Sequence, residues 1–367
     1  MLVAIGAARY LDHDIELDLD DLHPSSHAAM QLRVRLDVGG CISAADPQVG
    51  LLHRSAEKLF EARDYRQIMM LANRHDWLSA FSSELGCALT IEKAMGITPP
   101  IRATWARTLL AEMNRVTATL LLLGSASRDP QLLRLRERFL TLQETATGGR
   151  IHPMITRIGG LAHPLTEDWL DQLGAFIIEL RGLYPGVVDA VLAMTTAFGN
   201  RAILPRELAI AYGVTGPVGR ASGFDLDLRR DEPYLAYGEL RELLHVPTAI
   251  AGDLPSRYQM LLEQVPVSID LMEACIPQAR GAGPISVTLP KVVRVPESTT
   301  YGQIEGPLGV SGYLLVSIGE KTPWRLKLRT PSFSNVQAMA IAVIGLPLAD
   351  LGAALMSFFA VAGDTDR

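Results

Sequence analysis

Apolar and acidic residues alternate with period two through Ile15-Glu16-Leu17-Asp18-Leu19-Asp20, the pattern of a half-buried strand. Leu32-Arg33-Val34-Arg35-Leu36 alternates in the same way, with a basic polar face. Paired antiparallel, the two strands set carboxylates opposite guanidiniums on their exposed side. The residues between them, Leu22 to Gln31, then form a hairpin tip that holds His23, Pro24, Ser25, Ser26 and His27. Trp324-Arg325-Leu326-Lys327-Leu328-Arg329 repeats the alternation near the other end, and Ile285 to Val295 and Gly312 to Ile318 predict two more strands.

Between these ends the period becomes helical. Leu109, Met113, Val116, Leu120 and Leu123 fall on one buried face, and Leu51 to Arg63, Asp76 to Met95 and Asp168 to Arg181 behave similarly. Leu254 to Ala279 is also helical, with a bend or break at Pro266. Val336 to Gly363 predicts one or two buried helices interrupted near Pro347. The fold class is α+β: a large central helical bundle with a small antiparallel β-sheet built from both termini. It divides into an N-terminal hairpin region (1–40), a helical core (41–284), a β-rich segment packing with the first strands (285–330) and C-terminal buried helices (331–367).

Composition narrows the picture. Of 367 residues, 48% are hydrophobic and 20% charged, enough apolar material to exclude global disorder. The length allows about two domains of ordinary size. A net charge of −6, with 34 basic against 40 acidic residues, argues against a surface built for nucleic acid. Cys41, Cys87 and Cys275 are far apart and form no CxxC pair, so they read as reduced, mostly buried thiols. The start, MLVAIGAARYLDHD, lacks the basic region of a signal peptide. Gln337, Pro347 and Asp350 keep the most apolar stretch well short of the ~18 residues a membrane-spanning helix needs.

Several local patterns lose their chemical meaning on inspection. His23 and His27 have metal-pair spacing only on a helix, and Pro24 biases His23 away from one. Ser55-Ala56-Glu57-Lys58 is an SxxK without its companion KTG. Gly213, Gly216, Gly219 and Gly223 miss the GxGxxG order and read as a structural loop. Arg229-Arg230-Asp231-Glu232 reads as a solvated or self-paired charge cluster.

Blocks taken in order carry more. HPSSH (23–27), GLLHRSAEKLFEARDYRQ (50–67), NRHDWLSAF (73–81), EKAMGI (92–97), RTLLAEMNR (107–115), GGRIH (148–152), RIGG (157–160), YGVTGP (212–217), DLRRDEPYLAYGEL (227–240), WRLKLRTPSF (324–333) and GDTDR (363–367) form one ordered set. Together they resemble the D-type subunit of NADH-quinone oxidoreductase, respiratory complex I. The match runs from about residue 14 to 367 and looks like a divergent second copy of that subunit. The family shares its fold with the large subunit of nickel–iron hydrogenases, whose two CxxC pairs should fall near residues 66–77 and just before residue 367. Neither region has a cysteine, so the chain lacks the thiolates for nickel.

The resemblance implies that the emptied metal site heads a quinone cavity beside the terminal [4Fe–4S] cluster of a neighbouring subunit. By residue, His27 matches the tip histidine that reaches the quinone headgroup, Asp129 its paired aspartate, and Arg54 the arginine near the partner's cluster. A quinone that accepts two electrons also takes two protons, and a carboxylate-held histidine can deliver them near neutral pH. The family's quinone-bonding tyrosine falls on Trp77, whose indole donates a hydrogen bond but no proton. The usual helix histidine falls on Thr119, Ala28 replaces a glycine, and the segments after Gly124 and at 196–205 are shortened. The implied partners are the B-type cluster-bearing subunit, the C subunit, the membrane-arm H subunit and quinone, with no nucleic acid. The implied location is peripheral, on the cytoplasmic face of the cell membrane. Neither a metal nor a cluster is expected on this chain, and NADH oxidation belongs to other subunits. A reading of another class is a scaffold or assembly paralogue that has lost quinone chemistry.

Overall fold

The computed structural model describes residues 8–11, 14–19 and 30–367. Four strands, β1 (Ala8–Leu11), β2 (Asp14–Leu19), β3 (Met30–Leu36) and β4 (Ile42–Gln48), form an antiparallel sheet in sequence order. The register sets Glu16 opposite Arg33 and Asp14 opposite Arg35, with ion pairs of 3.1 and 2.8 Å. The opposite face sends Leu17, Met30, Leu32 and Val34 into the main core, so burial specifies this register more strongly than the exposed charges do.

Next come α1 (Ala56–Glu61), α2 (Ile68–His75), α3 (Ala80–Met95), α4 (Ile101–Ser127) and α5 (Pro130–Thr147). A short ribbon, β5 (Thr156–Arg157) with β6 (Gly160–Leu161), leads to α6 (Glu167–Thr195). Three short helices, α7 (Arg206–Ala211), α8 (Gly216–Ala221) and α9 (Leu228–Asp231), precede α10 (Leu254–Ala279). Helix α4 is buried nearly all round, which places it at the centre of the bundle. Helices α3, α5, α6 and α10 pack around it. Its polar residues are paired inside the core: Arg107 grips Glu92 at 2.8 and 3.0 Å and also donates to the Gly160 carbonyl.

Helix α10 continues through Pro266 without a break. A proline frees the carbonyl four residues earlier, and the Tyr184 hydroxyl donates to that Leu262 oxygen at 2.7 Å. The strands near the other end are β7 (Ser298–Gly306), β8 (Gly309–Ser317) and β9 (Arg325–Arg329). They make their own antiparallel sheet, so the two ends of the chain supply separate sheets among the described residues instead of one. The expected strand over 285–295 is absent apart from a single bridge between Ser286 and Gly160. The carbonyl of Ile285 accepts from Leu161, and Val287 donates to Gly159, so this stretch pairs locally with the β5–β6 ribbon. Helix α3 lies close on the second sheet: a Cβ on Gly86 would sit 2.3 Å from the Tyr313 ring.

The chain finishes with α11 (Pro331–Ala342), α12 (Leu351–Ser357) and α13 (Ala362–Thr365); the break between α11 and α12 spans Pro347 as the sequence predicts, and a further break sets off α13. Ile42 donates to Leu346 O and Gly345 to Ile42 O, tying the first sheet to this segment. No helix among the described residues is long and apolar enough to cross a membrane.

Candidate functional site

Residues 66–77 and the last turn of the chain meet where α13 packs on α2. The buried His75 closes α2, and its Nδ1 lies 3.1 Å from Asp364 Oδ1. The other Asp364 oxygen accepts the Ser332 N–H at 3.1 Å. Gly363 permits the close approach, because a Cβ there would fall 2.6 Å from the His75 carbonyl oxygen and 3.6 Å from Arg54 Nη2. Arg54 is exposed and donates to the Arg74 carbonyl at 3.1 Å. Asp366 accepts from the Gly50 and Leu52 amides at 2.7 and 2.8 Å, and His53 Nδ1 meets its carbonyl at 2.8 Å. The Arg54 loop and the final turn are thereby held as one unit.

Asp76 turns the chain out of α2 by accepting the Leu78 and Ser79 amides, each at 3.0 Å. Burial, reinforced by the Asp364 charge, pushes its carboxyl up to about 6, against the opposing pull of His75. Trp77 follows, half-buried against the main core. Arg54 and Trp77, expected beside the cluster and the headgroup, therefore stand on adjoining segments of one assembly.

The remaining expected residues are placed differently. His23, His27 and Ala28 lie outside the described residues. Asp129 caps α5, its carboxylate accepting the Gln131 amide at 2.8 Å. Thr119 is buried on α4, where it donates to the Arg115 carbonyl and accepts from Gln264 Nε2, both at 2.9 Å.

A cavity of about 530 Å³ runs alongside α2, walled by Met69, Met70, Met154 and Ile158, with Glu84 among its lining residues. Neither Arg54 nor Trp77 lines it. Glu84 accepts from Asn73 Nδ2 at 2.8 Å and from the Thr156 amide at 3.1 Å. Burial still raises its carboxyl to about 7.

The 229–232 run is not uniformly solvated. Arg230 pairs with Asp231 at the surface, but Arg229 is 1% exposed. It binds Asp227 at 2.7 Å and Glu112 at 3.1 Å. Arg115, Arg220 and Glu305 extend the cluster, giving three guanidiniums for three carboxylates, as a dry interior requires. Burial alone would raise Glu112, but Arg229 and Arg115 bring it below its ordinary value. Burial and the Asp227 charge push Glu305 up to about 7.

Sequence reasoning did not single out His75, Asp364, Asp76 or Glu84. His75, Asp76 and Asp364 lie in the blocks NRHDW and GDTDR, but 289 residues separate His75 from Asp364; no sequence block marked Glu84. Among the described residues, no group of three or more histidine, cysteine or acidic side chains is arranged to hold a metal ion.

Comparison with known proteins places this arrangement. The family model described as respiratory-chain NADH dehydrogenase, 49 Kd subunit, matches residues 123–293 and 287–367. A Salinispora tropica protein, named as the second D-type subunit of NADH-quinone oxidoreductase, is 48% identical over 100% of this chain and 97% of its own. Its name agrees with a second copy of the subunit. A Clostridium beijerinckii protein, named as the D-type subunit of NADH-quinone oxidoreductase, is 34% identical over 97% of this chain and 100% of its own. Among solved structures, a chain of the membrane-bound sulfane sulfur reductase, an archaeal respiratory membrane complex, superposes with a TM-score of 0.90 at 27% identity. That match covers 96% of this chain and 98% of the other. The chain therefore belongs to the 49-kDa subunit family of the respiratory-chain NADH dehydrogenases, the family of the D-type subunits of NADH-quinone oxidoreductase.

Proposed function

We propose that this chain contributes the quinone-reduction site of an NADH-quinone oxidoreductase, beside the terminal [4Fe–4S] cluster of a neighbouring subunit. The observation that carries this reading is the union of Arg54, the His75–Trp77 turn and the Gly363–Asp366 turn at one place. The hydrogenase relationship assigns a metal centre to residues 66–77 and to the end of the chain, and neither segment contains a cysteine. A fixed guanidinium at Arg54 favours the more negative, reduced state of a nearby redox centre. The proton donors in this reading are His27 with Asp129, and Trp77 packs on or hydrogen-bonds the headgroup. The B-type, C and H subunits are the partners, and the chain sits peripherally on the cytoplasmic face of the membrane. The relatives' names support quinone as acceptor. The fold alone does not select it, because the superposed archaeal chain comes from a sulfane sulfur reductase.

Thr119 favours a second reading, a scaffold that keeps subunit contacts without quinone chemistry, since its hydroxyl is committed to Arg115 and Gln264. The test is to purify the chain with its neighbouring subunits and titrate a ubiquinone or menaquinone analogue. Saturable binding, competed by the native quinone, is the expected result. An assembled complex whose analogue binding does not depend on this chain would leave the scaffold reading.

A further inference from the structure

We infer that His75, held by Asp364, is a proton donor to the quinone, taking the role of the phenol that Trp77 lacks. This rests on the quinone reading above. The Nδ1 contact with Asp364, whose second oxygen is fixed by Ser332, sets the ring's orientation and puts the hydrogen on Nδ1. Proton exchange then falls to Nε2. That atom is buried and has no hydrogen-bond partner among the described residues. Leaving a buried ring nitrogen without a partner is costly, and such a group calls for an explanation, a catalytic or redox role among them. His75 stands two residues before Trp77, on the same turn out of α2.

The charges around the dyad come from several elements. Asp76 shares its turn, Asp364 comes from α13, and Arg54 approaches through Gly363. Tyr313 on β8 and Arg329 on β9 both feel the Asp364 charge. Asp76, with its raised carboxyl, does not bond His75 and instead holds the loop that carries Trp77.

The two electrons would be supplied by the neighbouring subunit's reduced iron–sulfur cluster. The two quinone carbonyls become hydroxyls by taking two protons. One proton leaves Nε2 of the imidazolium, which becomes neutral imidazole still bonded through Nδ1 to Asp364. The other comes from a second donor, His27 in the quinone reading above, and solvent reprotonates His75 before the next turnover.

The test uses the assembled complex, with assembly and the partner's cluster signal checked for each variant. His75→Asn keeps a donor where Nδ1 stood, so the Asp364 bond survives, and removes only the exchangeable Nε2 proton. Turnover should fall about 10²-fold, the usual worth of a positioned acid, with KM little changed and the alkaline limb of the pH profile lost. Adding Trp77→Tyr to His75→Asn should recover most of the rate, because a phenol returns a transferable proton. A His75→Asn complex with full rate and an unchanged pH profile, while wild type reduces quinone, would overturn this inference and leave the quinone reading intact. A rate loss that Trp77→Tyr does not recover would also overturn it. A wild-type complex that reduces no quinone at this subunit would overturn both.

Discussion

At Glu84 burial outweighs hydrogen bonding, the reverse of Glu112, where the neighbouring guanidiniums win. Glu84 accepts two hydrogen bonds, yet its carboxyl is raised from 4.5 to about 7 by burial. A carboxyl raised in the folded state binds more protons folded than unfolded between those values, so stability is highest below the lower value and falls as pH rises through the higher one. The full span corresponds to roughly 3 kcal/mol. Glu84→Gln should therefore flatten the decline in thermal midpoint between pH 5 and 8. A variant whose decline matches wild type would assign that slope to other groups, with Glu305, also raised to about 7, first among them. His75 and Arg229 are also buried, and each has a carboxylate partner remote in sequence, Asp364 and Glu112 respectively. No local pattern reveals such a remote partner, which is why the 229–232 run read only as a solvated or self-paired cluster.

At the level of elements, what local pattern dictates was legible and what tertiary pairing dictates was not. The β2–β3 pairing with its opposed charges, the helical course of α3, α4 and α10, and the interruption near Pro347 all follow from period and punctuation. Residues 285–295 read as a strand because they are apolar and β-branched, yet only Ile285 to Val287 pair, with the β5–β6 ribbon. Strand β7 begins with the polar run Ser298-Thr299-Thr300 and gains its place by pairing with β8 along nine residues. The final turn is held the same way, by contacts remote in sequence. Asp366 satisfies two amides of the Arg54 loop, and hydrogen bonds to a charged acceptor are worth about 1.5–3 kcal/mol each. Asp366→Ala should lower stability by about 3 kcal/mol in denaturant unfolding and speed hydrogen exchange at Gly50 and Leu52. Unchanged protection at those amides would show that the loop is held by other contacts.

For the whole molecule, the relation between sites is the informative feature. The family resemblance located Arg54 and Trp77 on segments that the fold does bring together, and it anticipated the meeting of residues 66–77 with the end of the chain. It did not expose the His75–Asp364 pair, which appears only when α13 seats on α2. On the proposed function this assembly reduces quinone and His27 delivers a proton. The most direct measurement is quinone reduction by the purified complex carrying His27→Ala, with subunit assembly verified separately. The account predicts normal assembly and a loss of about 10²-fold or more in turnover, as for any positioned general acid. A His27→Ala complex that assembles normally and keeps the full rate would contradict it.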